Sequence, residues 1–112
     1  MEMVVEELEG GVTRVVLAGR LDVAGAAVID LRFNTVSGSR RAVVVDLSSV
    51  SFIASMGIRT LVSGAKAVRT RGGRMVLLFP EANVEKALRT ASIDMLIPIY
   101  HDRDAALAAV LV

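Results

Sequence analysis

The sixteen residues from Asp46 to Leu61, DLSSVSFIASMGIRTL, constrain the fold most, because they join a buried strand to a helix through a serine. Just upstream, Ala42, Val43, Val44 and Val45 form an unbroken apolar run, which suits a strand covered on both faces. Downstream, Ile58, Leu61, Val62, Ala65 and Val68 recur at helical spacing and leave Arg59, Ser63, Lys66 and Thr70 on another face. The period changes close to Ser55. A hydroxyl at that junction either caps the helix or is offered to a partner as a modifiable group near the positive end of the helix dipole.

Strands and helices alternate along the rest of the chain. Residues 3–8 and 12–18 read as two strands joined through Gly10 and Gly11, the residue type that tight hairpins use. A helix is expected after Asp22 to about Val36, with Val28 and Leu31 facing inward, ending at the Ser37-Gly38-Ser39 break. Strand 42–47 and a helix from about Met56 to Thr70 follow, and Gly72-Gly73 closes that helix. Strand 74–79 ends at Pro80; a short helix from Asn83 to about Thr90, a strand near Leu96–Tyr100 and a last helix from about Arg103 to Val110 complete the pattern. The last helix, with Ala105, Leu107, Ala108 and Leu111, is expected to fold back on the body of the protein. This alternation predicts an α/β fold, a mixed sheet with helices packed against it.

A length of 112 residues fits one domain spanning 1–112, with a real core but no room for a second. The longest apolar runs, such as Met75–Phe79, fall far short of the roughly 20 residues that cross a bilayer. Glu2, Glu6, Glu7 and Glu9 near the start oppose a secretory leader, and the absence of cysteine fits a reducing compartment, so a soluble cytoplasmic protein is expected. A net charge of +1 disfavours nucleic acid as the main partner. The local cluster Arg69, Arg71 and Arg74 has no interleaved aromatic residues for base stacking and reads as a solvated helix end.

Little in the chain supports catalysis. His101 is the only histidine, and beside Asp102 and Asp104 it reads as an ordinary helix start capped by aspartate rather than a metal site. Ala54-Ser55-Met56-Gly57 does not match the G-x-S-x-G elbow of hydrolases, and no phosphate-binding glycine loop occurs. No catalytic residue, metal or cofactor is expected, and a non-enzymatic binding module is the reading that remains.

Four motifs together carry a resemblance: Gly19-Arg20-Leu21-Asp22, Asp46-Leu47-Ser48, Ala54-Ser55-Met56-Gly57-Ile58 and Gly72-Gly73. In order and spacing the chain resembles the STAS domain family, which includes bacterial anti-sigma factor antagonists. The resemblance implies a four- or five-stranded mixed sheet flanked by about four helices. It also implies an antagonist that binds an anti-sigma factor with serine-kinase activity, is released when that kinase phosphorylates it, and is reset by a serine phosphatase. Carried over by position, the phosphoacceptor is Ser55, and the partner surface comprises Asp22, Ala54, Ser55, Met56, Gly57, Ile58 and Arg59. Ala54 stands where the family usually has aspartate, and Met56 where a smaller residue is common. An alternative the family offers is a subunit of a lipid-transport complex or stress-sensing assembly that needs no phosphoserine. Beside the family role, Asp22 reads as a helix cap, Asp46 as the brace of the following turn, and Met56 with Ile58 as an exposed apolar spot. Neither the composition nor the resemblance sets an oligomeric state.

Overall fold

The computed structural model describes residues 1–112. Five strands form one sheet in chain order: β1 (Glu2–Glu7), β2 (Thr13–Leu21), β3 (Ala42–Ile53), β4 (Arg74–Leu78) and β5 (Ile99–Tyr100). β1 is antiparallel to β2, and each later neighbouring pair is parallel. Parallel neighbours require crossovers, which α1 (Val23–Ser37), α2 (Ser55–Thr70) and α3 (Ala82–Thr90) supply, while α4 (Arg103–Val110) follows β5. The expected α/β architecture is present, with five strands and four α-helices.

The alternation of side chains along each strand builds two cores. Leu17, Val43, Val45, Leu47 and Leu77 join a cluster of 20 buried residues that also holds Phe33 of α1, Leu61 of α2 and Leu88 of α3. Ala42, Val44, Val76 and Leu78 belong to a smaller cluster closed by Ala106 and Val110 of α4, which does fold back on the sheet. The apolar run at the start of β3 is therefore covered on both sides, as its composition requires.

Several boundaries differ from the sequence reading for identifiable reasons. β3 continues to Ile53 because β2 runs on to Leu21 beside it, through register shifts between Val16 and Ala18 and between Gly19 and Arg20. The last strand shrinks to Ile99–Tyr100, preceded by a 3-10 turn at Ile93–Met95. Pro98 has no N–H to give a ladder and contributes only its carbonyl, which accepts from the Leu77 amide at 2.9 Å. Between β1 and β2, Gly10 and Gly11 take φ of 76° and 81° in a short 3-10 turn, closed by Leu8 N–H to the Val12 carbonyl at 2.7 Å.

The inward face of α1 is a correction. Val28 and Leu31 are 68% and 82% exposed, whereas Gly25, Ala26, Ile29 and Phe33 are buried. Apolar residues occur around most of this helix, so spacing alone does not choose a face. Gly25 chooses it: a Cβ there would lie 2.0 Å from the Arg20 carbonyl oxygen, so only this face lets the first turn sit on the end of β2. Further along, Phe33 fills the space left by Gly64 of α2, where a Cβ would fall 2.4 Å from the ring.

Both sheet edges are blunted. β5 is two residues long, and on β1 the Arg32 guanidinium donates to the Met3 carbonyl at 2.6 Å. At the other end of α2, Gly73 N–H returns to the Val68 carbonyl at 3.0 Å, and the Arg71 guanidinium donates to the carbonyls of Ala67 and Arg40. Arg71 thus serves as the helix-end cation read from the sequence.

Asp46 is a charged group at 2% exposure, and it is held on both oxygens. Oδ1 accepts from the Ser48 amide at 2.9 Å, the turn-bracing role expected of it, and Oδ2 accepts from Arg14 at 2.5 Å. Arg14 also reaches Glu6, directly across the β1–β2 pair, at 2.9 Å. Burial pushes the Asp46 carboxyl up, but the bonds from Arg14 and Ser48 outweigh it and hold the group below the ordinary aspartate range. A depressed folded pKa contributes stability above the unfolded value that is lost as pH falls through the folded one. Asp46→Ala is expected to cost about 2 kcal/mol in urea unfolding at neutral pH, and the difference from wild type should shrink as pH falls below the ordinary aspartate range.

Candidate partner-binding site

The site is built where two helices start at the end of β2. The Ala54 amide donates to the Leu21 carbonyl at 3.0 Å, tying the β3–α2 junction to the strand that runs into α1. Asp22 and Ser55 each follow a member of that bonded pair, so the fold brings together two residues separated by 33 positions (55 − 22). Gly57 permits the approach: a Cβ there would lie 2.3 Å from the Leu21 carbonyl oxygen and 2.6 Å from Leu21 Cγ. Gly57 is buried and positions the surface rather than lining it.

Asp22 is the N-cap of α1, its carboxylate accepting from the Gly25 amide at 2.9 Å, as the capping reading had it. That bond first, with lesser help from Arg20, outweighs desolvation and holds the Asp22 carboxyl below its usual range. Arg20 lies over the Phe52 ring with its guanidinium carbon 4.3 Å from the centroid, a cation–π contact on the rim of the same region.

Ser55 does not cap its helix. The N-cap is Ala54, with extended backbone and no side chain able to accept, and Ser55 is the first helical residue. Its side chain is exposed. Of the two readings of that hydroxyl, the structure has the outward presentation. The cap position falls to alanine, leaving the first-turn amides without a side-chain acceptor.

Met56 is exposed at 41%, but Ile58 turns partly into the core, so the apolar spot rests on Met56 alone. Shallow grooves flank the helix start. One, about 490 Å³, lies between Ser55 and Ile58 of α2 and Asn83, Lys86 and Thr90 of α3. The other, about 530 Å³, lies between Met56 and Arg59 of α2 and Val23, Ala27 and Asp30 of α1. Lys86, Asn83 and Val23 were not legible as site residues, because α3 and the outer face of α1 reach the site only through the crossovers. Asn83 also donates to the Ser51 carbonyl at 3.1 Å, pinning the start of α3 beside the end of β3 that leads to Ser55.

His101 and the aspartates around it lie elsewhere. His101 Nε2 sits 2.6 Å from Glu85 Oε1, and Asp102 caps α4 by accepting from the Ala105 amide at 3.1 Å. No helix is long and apolar enough to cross a membrane.

The family model of the STAS domain matches residues 3–106, and the chain belongs to that family. It is 28% identical over 97% of its length to the proposed anti-sigma factor antagonist BtrV of Bordetella bronchiseptica, covering 94% of that protein. Among solved structures it is similar to an anti-sigma factor antagonist from Mycobacterium paratuberculosis, with 25% identity, a TM-score of 0.87, and 97% of this chain and 92% of that one covered. It is also similar to an anti-sigma-factor antagonist (STAS) domain protein from Planctomyces limnophilus, with 26% identity, a TM-score of 0.85 and 96% of each chain covered.

The vacant cap gives a stability test. Ala54→Asp is expected to raise stability by about 1 kcal/mol in thermal unfolding, by supplying the missing acceptor, whereas Ser55→Ala should change it by less than about 0.5 kcal/mol. A loss near 1 kcal/mol for Ser55→Ala would return the capping role to that hydroxyl. Gly57→Ala should cost about 1–3 kcal/mol, because the new methyl meets the backbone of β2 and forces the start of α2 away from it.

Proposed function

We propose that this chain is an anti-sigma factor antagonist: a single, non-enzymatic, cytoplasmic binding unit that engages an anti-sigma factor with serine-kinase activity and thereby frees a sigma factor. Phosphorylation of Ser55 by that kinase releases it, and a serine phosphatase resets it. The observation that carries this reading is the Ser55 hydroxyl itself, exposed at the first position of α2 between two grooves instead of capping its own helix. The proposed antagonist role of the Bordetella relative supports it over nearly the whole chain.

The chemistry of the switch follows from charge. A phosphoryl group adds roughly −1.5 to −2 charges and three acceptor oxygens. At Ser55 it would meet first-turn amides that no side chain occupies, the positive end of the α2 dipole, and the cations Arg59 and Lys86. The phosphorylated state is thus tolerated by the antagonist's own fold. The same charge, set amid Met56 and the groove surfaces, desolvates poorly against a partner fitted to the neutral serine, and the complex parts. In this reading Met56 is the apolar anchor, Arg59 and Asp22 are polar contacts at its sides, and Ala54 and Gly57 keep the helix start close to β2. Ile58 contributes the wall of the α3-side groove.

The test is incubation of wild type and Ser55→Ala with the cognate anti-sigma kinase and ATP, followed by intact-mass spectrometry and by binding titration. One phosphate on wild type and none on Ser55→Ala is expected, with Ser55→Ala still binding and Ser55→Asp at least about tenfold weaker. An unmodified wild type that binds the kinase regardless would remove the phosphoswitch and keep the binding role. Absence of binding by both proteins would remove the antagonist role altogether.

A further inference from the structure

At the far end of α2, about 20 Å along the helix from Ser55, a third concavity of about 400 Å³ opens between the helix terminus, β4 and the segment leading to β5. Its volume falls within the range of small-molecule sites, roughly 300–1,000 Å³. Its apolar lining comes from Ala65, Met75 and Pro98 with Ala109 of α4, set beside a larger share of exposed polar atoms. Leu96 and Met95 stand at the lip, 40% and 82% exposed.

The charge of the rim has one sign. Arg69 and Arg74 are the only ionised side chains among its lining residues. Arg69 is held in place by donating to the Leu96 carbonyl at 2.9 Å, a neutral partner that leaves its charge uncompensated. Arg74 is exposed and takes part in none of the ion pairs of the molecule. Near the end of α2 the carbonyls of Ala67, Val68 and Arg69 already accept from Arg71, Gly73 and Gly72, so neither Arg69 nor Arg74 is engaged in capping the helix. Tyr100 lines the same space and brings a phenol to it.

We propose that this concavity binds a small amphipathic anion: a carboxylate or phosphate held by Arg74 and Arg69, with a short apolar body lying on Ala65, Met75 and Pro98 and covered by Leu96 and Met95. The two guanidiniums select the charge, and the floor rejects a purely hydrophilic ion such as acetate. Such a ligand would come from solution as a monomer, since the floor is a recess and not a flat patch. The site is independent of Ser55 and of the switch at the opposite end of the helix.

Octanoate serves as the probe, with octanol, acetate and phosphatidylglycerol vesicles as comparators, read by amide-resolved NMR titration of the full chain. Octanoate is expected to shift Gly72, Gly73, Met95 and Tyr100 saturably, with octanol and acetate each weaker by at least about tenfold. Arg74→Gln should weaken octanoate about tenfold with no change in thermal midpoint, and Ser55→Ala should bind it like wild type. Equal affinity for octanol and octanoate would overturn the proposal, as would shifts confined to the α1–α2 groove. So would no saturable response below about 10 mM octanoate, or a response to the vesicles alone.

Discussion

The seating of two helix starts on the carbonyl end of β2 is the constraint from which the site follows. Two glycines make it possible, since a methyl at Gly25 would reach 2.0 Å from the Arg20 carbonyl oxygen and one at Gly57 would reach 2.3 Å from that of Leu21. With side chains excluded there, α1 and α2 begin at the same place on the sheet, and the Ala54 amide can close a bond to Leu21. Asp22, Ser55 and Met56 then share one surface although they come from two different crossovers. Larger residues at either glycine would meet a backbone oxygen of β2 and push the two helix starts apart.

Much of this was legible beforehand, and what escaped did so for physical reasons. The covered strand at Ala42–Val45 and the amphipathic α2 are strong periodic signals, and both are in place. The inward face of α1 was misread because apolar residues circle that helix; the deciding contact, Gly25 against a backbone oxygen, is a tertiary fact with no periodic trace. β3 outran its expected end because its last residues, Ser48 to Phe52, look like loop composition and are ordered by a bulged neighbour. Ser55 is marked in the sequence by its position between strand and helix, while Lys86 and Asn83, which line the same groove, come from a crossover that nothing in their own sequence marks. Ile58 shows the limit of placing a residue by motif alone, since the helix turns it partly toward the core.

The two ends of α2 are finished in opposite ways. At the C-terminus, Gly72, Gly73 and Arg71 satisfy the final carbonyls and lock the turn against Arg41, whose backbone oxygen would lie 2.2 Å from a Cβ at Gly73. At the N-terminus no side chain takes the first amides, and the one hydroxyl close by is turned to solvent. A helix so firmly anchored at one end can leave the other incomplete at a cost of about 1 kcal/mol, the usual worth of a missing cap. What is conceded in stability at Ala54 leaves the first amides of α2, beside Ser55, without a side-chain acceptor.

The Arg32 guanidinium on the Met3 carbonyl bears on how the molecule behaves in a crowd. An open outer strand is a template for strand addition by identical chains, and the free protein would be depleted by such stacking. Arg32 occupies one of the acceptors that an incoming strand would use, and Glu2, Glu6 and Glu7 line the same strand with charge that repels its like. Sociability is thereby directed away from the rim of the sheet, toward the faces where recognition can be selective.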